Sequence, residues 1–100
     1  MAMTIEKTIN GSVAILKIAG ALDTETAPAL EALLNGELAG IDDLTLDFEE
    51  LEYVSSAGLR VIINAQKKMN AVGKMKVTHV NESVMEIFEI TGFTTILTIE

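Results

Sequence analysis

Apolar and polar residues alternate along the first twenty positions as two paired strands require. Residues 4–9 place isoleucines on one side and threonine or glutamate on the other, and a second apolar run covers residues 13–19. Asn10 and Gly11 separate the two runs. Asn-Gly between such runs is the strongest short-range signal of a β-hairpin, because both residues tolerate a positive φ. The sequence therefore predicts an antiparallel hairpin at its start.

The next segment carries the features of an amphipathic helix. Thr24 or Thr26 can cap its start. Glu25 suits the positive end of the helix dipole, and Pro28 fits a first helical turn. Apolar residues then recur at helical spacing on one face, namely Leu30, Leu33, Leu34 and Leu38. Gly40 follows the end of this pattern, so we expect the helix to end before it.

The middle of the chain predicts a short strand and a long helix. Residues 44–48 alternate in polarity, and an acidic loop then leads to Tyr53 and Val54. From about residue 57 to residue 72 the period becomes helical, and Gly73 follows. The apolar side of this helix would consist of Gly58, Ile62, Ala65, Met69 and Val72. Its polar side would consist of Arg60, Asn64, Lys67 and Lys68.

The last third of the chain predicts a strand, a helix and a final strand. Residues 75–80 have the composition of a strand, and Asn81 is a favourable N-cap. Residues 84–90 form an amphipathic helical segment that Gly92 ends. Residues 95–99 are typical of a last strand, which gives the element order ββαβαβαβ.

This order of elements indicates an α/β fold. Strands separated by helices need crossover connections, which produce parallel pairing with right-handed connectivity. We expect a mixed sheet of four or five strands, with the N-terminal hairpin as its antiparallel part and parallel strands after it. About three amphipathic helices would cover at least one face of this sheet.

The composition indicates one folded domain that spans residues 1–100. Of these residues 49% are hydrophobic and 22% are charged, and there is a single proline, which argues against disorder. No stretch approaches the roughly 18 apolar residues of a membrane span, and the start lacks the pattern of an export signal. The chain has no cysteine, which excludes disulfides and thiolate chemistry. We expect a cytoplasmic protein without membrane insertion.

The charge of the chain disfavours nucleic acid as a partner. Fifteen acids against seven basic residues give a net charge of −8, the wrong sign for holding a phosphate backbone. The charge is also uneven, because the residues up to Leu59 carry a net charge of −9 and those from Arg60 onward carry +1. We therefore expect an acidic surface to come from the first part of the chain.

Few residues could support catalysis. His79 is the only imidazole, and its position in a predicted strand favours an ordinary hydrogen-bonded structural role. The chain has no phosphate-binding loop, no dinucleotide fingerprint and no GxSxG nucleophile motif. One histidine without cysteine cannot make a zinc site of the usual kind. We therefore expect a protein that is not an enzyme and that binds no cofactor or metal.

The most distinctive local feature is the pair of serines at the predicted start of the second helix. Serine is a favoured N-cap, because its oxygen accepts a hydrogen bond from an otherwise unpaired amide. A cap needs only one of Ser55 and Ser56. A helix start also suits a phosphate group, whose charge the free amides and the helix dipole stabilise. The same segment could therefore carry a modification.

Four segments together resemble the STAS family, specifically its stand-alone bacterial anti-sigma factor antagonists. They are GALD at 20–23, LDF at 46–48, YVSSAGLR at 53–60 and FEITGF at 88–93. The similarity covers essentially the whole chain in the right order. It implies a sheet with packed helices and binding to an anti-sigma factor that is also a serine kinase. It also implies release through phosphorylation of one serine at the start of the second helix, which a phosphatase would reverse.

The same resemblance identifies a candidate acceptor. In the family pattern an Asp precedes the phosphorylated Ser, and a Ser or Thr and then a Gly follow it. Aligned on Gly58, the acceptor corresponds to Ser56, while Ser55 replaces the Asp and Ala57 replaces the Ser or Thr. The missing Asp leaves Ser55 as an alternative acceptor, and it also leaves open that neither serine is modified.

Further residues are candidates for contact with the partner. Asp23 resembles the family's loop aspartate beside the acceptor, although it could instead serve as a cap at the helix entry. The candidate docking residues are Asp23, Thr24, Ser55, Ser56, Gly58 and Arg60. Thr24, Glu25 and Asp47 are weaker candidates, and solvation of the exposed side of the second helix explains Arg60 and Lys67 as well.

Three other functions stay open at this point. A STAS module could bind its partner without phosphorylation, for example as a subunit of a lipid-transport complex. A small acidic enzyme would depend on Asp23, Asp47 or His79. A nucleotide-binding regulator is a third alternative, although no phosphate loop is present.

Overall fold

The computed structural model describes residues 2–100, which form five strands, three α-helices and one short 3-10 turn. The elements in chain order are β1 (Met3–Asn10), β2 (Val13–Leu22), α1 (Ala27–Asn35), β3 (Asp43–Asp47), β4 (Leu51–Val54), α2 (Ser56–Val72), β5 (Lys74–Thr78), α3 (Glu82–Thr91) and the 3-10 turn (Phe93–Thr95). The expected α/β class, with a mixed sheet and three helices, is confirmed. No helix within residues 2–100 is long and apolar enough to cross a lipid bilayer.

The chain opens with the predicted hairpin. β1 pairs antiparallel with β2 from Met3 opposite Gly20 to Asn10 opposite Val13. Gly11 occupies the turn with a φ of +65°, a conformation that L side chains rarely adopt. The turn consists of Gly11 and Ser12, one residue later than predicted, because Asn10 is the last residue of β1 and pairs with Val13.

β2 organises the rest of the sheet. β3 pairs in parallel with the first half of β2, and β4 pairs in parallel with its second half. β5 pairs in parallel with β3 on the other side. Because β2 to β5 run in the same direction, their carboxyl ends point toward the same end of the sheet. Loops that follow these strands are therefore brought together there.

One face of the sheet is buried and the other is open. In β2, Ala14, Leu16 and Ile18 are buried, whereas Val13 and Ile15, on the opposite face, are 41% and 44% exposed. The buried faces of β3 and β5 continue this layer with Leu44, Leu46, Met75 and Val77. Their side chains join those of the helices in one hydrophobic cluster. The period of two in residues 44–48 thus predicted the buried face of β3 correctly, whereas Ile9, on the apolar side predicted for β1, is 42% exposed.

The predictions were wrong for two segments, because the acidic loop expected to lead to Tyr53 and Val54 contains a strand, and the strand expected at residues 95–99 does not form as such. Leu51–Val54 form β4, but their burial runs buried, exposed, exposed, buried, because the pairing with β2 shifts register between Gly20 and Ala21. This segment therefore lacks the alternation that marks a strand. The strand predicted at residues 95–99 is replaced by the 3-10 turn, and a single bridge joins Val77 to Ile99. The 3-10 turn follows Gly92, whose φ is +78°. The chain therefore pairs with β5 only after this turn, where the amide of Val77 donates to the carbonyl oxygen of Thr98.

The helices also differ in detail from the expected ones. α1 ends at Asn35, and Leu38 lies in the following turn, where it is nevertheless buried. Val72 was expected on the buried side of α2 but is 62% exposed. Gln66 is only 1% exposed, because its amide oxygen accepts a hydrogen bond from the amide of Thr98 at 3.3 Å. α3 begins at the predicted cap, since Oδ1 of Asn81 accepts from the amide of Val84 at 2.9 Å.

Candidate functional site

The two serines at the start of α2 have different environments. Ser55 is half-buried with extended backbone, and its Oγ accepts a hydrogen bond from the amide of Gly58 at 3.3 Å. Its carbonyl oxygen accepts the amide of Leu59 at 2.9 Å, the first bond of the helix. Ser55 is therefore the N-cap of α2.

Ser56 is the first residue of α2 and is exposed. Its hydroxyl makes no hydrogen bond to another residue within the described range 2–100. Of the two candidate acceptors, Ser56 presents an accessible hydroxyl, whereas the hydroxyl of Ser55 already holds the helix start. This difference favours Ser56 over Ser55 as the residue that a modifying enzyme would reach.

The start of α2 is fixed against the end of β2. The amide of Ser55 donates to the carbonyl oxygen of Leu22 at 2.8 Å. Gly58 is buried directly beside the same residue, and an added Cβ would lie 2.6 Å from the oxygen and 2.8 Å from the Cγ of Leu22. Gly58 thus allows α2 to pack closely against the end of β2. Asp23 is the residue that follows Leu22, so the loop after β2 begins at this contact.

Asp23 organises the loop between β2 and α1. Its Oδ1 accepts the amides of Glu25 and Thr26, both at 3.0 Å. The amide of Thr26 lowers the pKa of Asp23, partial desolvation opposes that shift, and the hydroxyl of Thr26 and the amide of Glu25 add to it. Thr26 occupies the position before α1, but its side chain bonds to this loop and does not cap the helix. Asp23 holds the turn together, while Thr24 and Glu25 are exposed beside it.

A shallow groove runs along α2 away from Ser56. It has a volume of about 480 Å³. Leu59, Ile63 and Phe93 provide its apolar surface, and Arg60 and Lys67 provide positive charge. Its full lining consists of Ser56, Leu59, Arg60, Ile63, Asn64, Lys67, Thr91 and Phe93. Three of the four residues on the predicted polar side of α2, Arg60, Asn64 and Lys67, therefore line a groove that begins at the candidate acceptor, whereas Lys68 does not.

A model of the STAS domain family matches residues 4–100 of this chain. The chain belongs to the STAS domain family. A Bordetella bronchiseptica protein named as a candidate anti-sigma factor antagonist, BtrV, is 35% identical over 96% of this chain and 83% of its own length. The anti-sigma-B factor antagonist of Staphylococcus aureus is 31% identical over 92% of this chain and 87% of its own length.

The fold of this STAS domain is shared with solved structures. The crystal structure of a candidate anti-sigma factor antagonist from Thermotoga maritima superposes with a TM-score of 0.87 and 24% sequence identity. The superposition covers 95% of this chain and 84% of the other. At this level of identity, the likeness concerns the fold.

The STAS domain places His79 outside the strand in which it was expected. β5 ends at Thr78, and His79 adopts a φ of 55° with its side chain 60% exposed. Its Nδ1 lies 3.2 Å from Oδ1 of Asp47, which also accepts the amide of Glu49. Asp47 and His79 therefore lie together at the carboxyl ends of β3 and β5, and Asp23 is hydrogen-bonded to neither of them. Within residues 2–100 no group of three or more potential metal ligands is present.

The sequence pattern of this STAS domain did not indicate the apolar part of the groove. Ile63 and Phe93 come from different elements, and Phe93 is brought to α2 by the turn after α3. The signal on α2 itself was the spacing of Ser56, Arg60, Ile63 and Lys67, in which each residue lies about one helical turn from the next along one stripe. Phe93 offered no such signal, because only the tertiary structure brings it there.

Proposed function

We propose that this STAS protein is an anti-sigma factor antagonist controlled by phosphorylation of Ser56. In its unmodified form it binds an anti-sigma factor that is also a serine kinase, and the sigma factor is thereby released. The names of the curated relatives support the antagonist role. The observation that carries the choice of Ser56 is its exposed, unbonded hydroxyl beside a capping Ser55. The setting for this activity would be the cytoplasm.

The modification is a phosphoryl transfer from ATP to Ser56. The serine oxygen forms a bond to the γ-phosphorus as the bond from that phosphorus to the β,γ-bridging oxygen breaks, and ADP leaves. The hydroxyl proton passes to a base of the kinase. A phosphatase restores the hydroxyl by transferring the phosphoryl group to water. Because Ser56 is exposed, neither reaction requires the core of the protein to open.

Phosphorylation would weaken docking through charge. A phosphoserine adds about 1.5 to 2 negative charges at neutral pH. A partner carboxylate about 6 Å from the phosphate would be repelled by roughly 1 to 5 kcal/mol at an effective dielectric between about 80 and 20. This corresponds to roughly ten- to thousandfold weaker binding. The fold itself need not rearrange, because the added charge lies at the surface.

The docking surface would surround Ser56. Asp23 and Thr24 follow the end of β2, which the start of α2 contacts through Leu22. Arg60 lies one helical turn beyond Ser56 on the same groove. Ser55 and Gly58 set the position of this surface from beneath, through the cap and the close packing.

The test is to incubate the protein with its cognate anti-sigma factor and ATP, followed by intact mass spectrometry. We expect the wild type to gain one phosphoryl group and Ser56→Ala to gain none, while Ser55→Ala keeps the acceptor. In a parallel pull-down, Ser56→Asp should bind the anti-sigma factor more weakly than Ser56→Ala. Binding of all variants without any added mass would contradict the phosphorylation and would favour a STAS interaction subunit that works without it.

A further inference from the structure

The seven basic residues of this acidic chain are not equally engaged. Lys7, Lys17, Lys74 and Lys76 form ion pairs with Glu37, Glu50, Asp43 and Glu100. Lys68 donates to the side chain of Asn35 at 2.6 Å. Within residues 2–100, the two cations left without an ion pair or side-chain hydrogen bond are Arg60 and Lys67, although the chain carries fifteen carboxylates. Both lie on the groove that begins at Ser56.

We propose that Arg60 is the internal counterion of phosphoserine 56, so that phosphorylation withdraws Arg60 from the docking surface. This inference rests on the proposed function, since it concerns the modified state of Ser56. Arg60 would then act in addition to the repulsion between the phosphate and a partner carboxylate. The same guanidinium faces the partner when Ser56 is free and binds the phosphate when Ser56 is modified.

The geometry of α2 brings the two residues together. Ser56 and Arg60 are four positions apart on one helix, so their Cβ atoms are about 5 to 6 Å apart on one face. Side chains on a helix lean toward its N-terminus, which directs the long arginine back over Ser56. A guanidinium matches phosphate oxygens with two parallel hydrogen bonds.

Nothing on α2 competes for Arg60. The helix contains no aspartate or glutamate, so the phosphate would be the first anion on this element. Lys67 is eleven positions beyond Ser56, about 16 Å along the helix axis at 1.5 Å per residue, and its side chain cannot span that distance. Arg60 and Lys67 therefore share the groove but differ in their access to the phosphate.

The modification would cancel the charge of the groove. Arg60 and Lys67 are its two cationic lining residues, and no acidic residue lines it. A phosphate of about −1.5 to −2 charges would bring this local charge close to zero. An acidic segment of a partner would then lose its attraction to the groove as well as meeting the new anion.

The experiment uses full-length protein with phosphoserine encoded genetically at position 56, so that no kinase is required. Phosphorus NMR follows the second ionisation of the phosphate during a pH titration. Because a cation at about 5 Å stabilises the dianion, we expect Arg60→Gln to raise the phosphate pKa by about half a unit to one unit. Arg60→Lys should retain part of the effect, and the Nε–H signal of Arg60 should shift along the same titration.

Lys67→Gln is the matched control, because it removes an equal charge from the same groove. It should leave the phosphate pKa within about 0.2 unit of the wild type, given the distance and the screening of exposed charges. Equal phosphate pKa values in the wild type and Arg60→Gln would overturn the inference. The outcome is separate from the proposed function, because failure of a kinase to modify Ser56 would not alter this titration.

Discussion

Replacing Gly58 by alanine tests whether close packing of α2 against β2 sets the position of Ser56. The new methyl group would lie 2.6 Å from the carbonyl oxygen of Leu22, 2.8 Å from its Cγ and 3.1 Å from Cγ1 of Val54. The carbonyl of Leu22 cannot retreat freely, because it accepts the amide of Ser55 at 2.8 Å. The helix start must therefore move away from the sheet.

The magnitude follows from two opposing effects. Alanine in place of glycine inside an unhindered helix is worth about 1 kcal/mol in its favour. Overpacking a closed site costs about 1 to 3 kcal/mol, and contact with backbone favours the upper end of this range. We therefore expect Gly58→Ala to lower the free energy of unfolding by about 2 kcal/mol.

Urea unfolding followed by circular dichroism measures this change as a lower midpoint with an unchanged slope. Gly40→Ala is the matched control, because a Cβ at Gly40 meets no atom within 4 Å. That variant should be neutral or gain up to about 1 kcal/mol through the unfolded state. A Gly58→Ala protein as stable as the wild type would refute the packing argument.

Three further predictions concern the caps and the loop beside the site. Ser55→Ala should lose about 1 kcal/mol of stability in urea because it removes the N-cap of α2, whereas Ser56→Ala should change by less than about 0.5 kcal/mol; equal losses would contradict the division of roles. Asn81→Ala should lose about 1 to 2 kcal/mol of stability in the same assay, because the side chain of Asn81 caps α3 and also donates to the carbonyl oxygen of Leu51. Unchanged stability would show that neither hydrogen bond matters. The lowered pKa of Asp23 adds stability that is present above its ordinary value of 3.8 and is lost as the pH falls through the folded value. Thermal unfolding should therefore show the advantage of the wild type over Asp23→Asn disappearing in acid, and a constant difference would oppose this assignment.

Local patterns predicted much of the fold. The hairpin, the alternation of β3 and the cap at Asn81 each depend on neighbouring residues, and the structure has each in the expected segment, although the hairpin turn lies one residue later, at Gly11 and Ser12. The resemblance of four sequence segments to the STAS family then implied a sheet with helices packed on it. The sheet, the helices and the start of α2 could therefore be anticipated.

Tertiary contacts explain what the sequence did not predict. β4 has no alternating burial, because its pairing with β2 shifts register. Gln66 is polar yet buried, because it bonds to the amide of Thr98 far along the chain. His79 leaves the strand pattern through a positive φ that no composition rule indicates.

The geometry of the candidate site could be predicted only in part, because it also depends on tertiary contacts. The serine pair was visible in the sequence, but only the hydrogen bond from Gly58 to Ser55 separates a capping serine from an exposed one. Likewise, the unpaired state of Arg60 depends on where the carboxylates of other elements lie. Such differences arise from packing and are not encoded in the local pattern.

The proposed switch requires that one phosphoryl group on Ser56 controls docking to the anti-sigma factor. Titration calorimetry would compare the dissociation constants of unmodified protein and protein with phosphoserine at position 56 for the same cognate anti-sigma factor. We expect phosphorylation to weaken binding by roughly ten- to thousandfold. Equal dissociation constants for the two forms would contradict it.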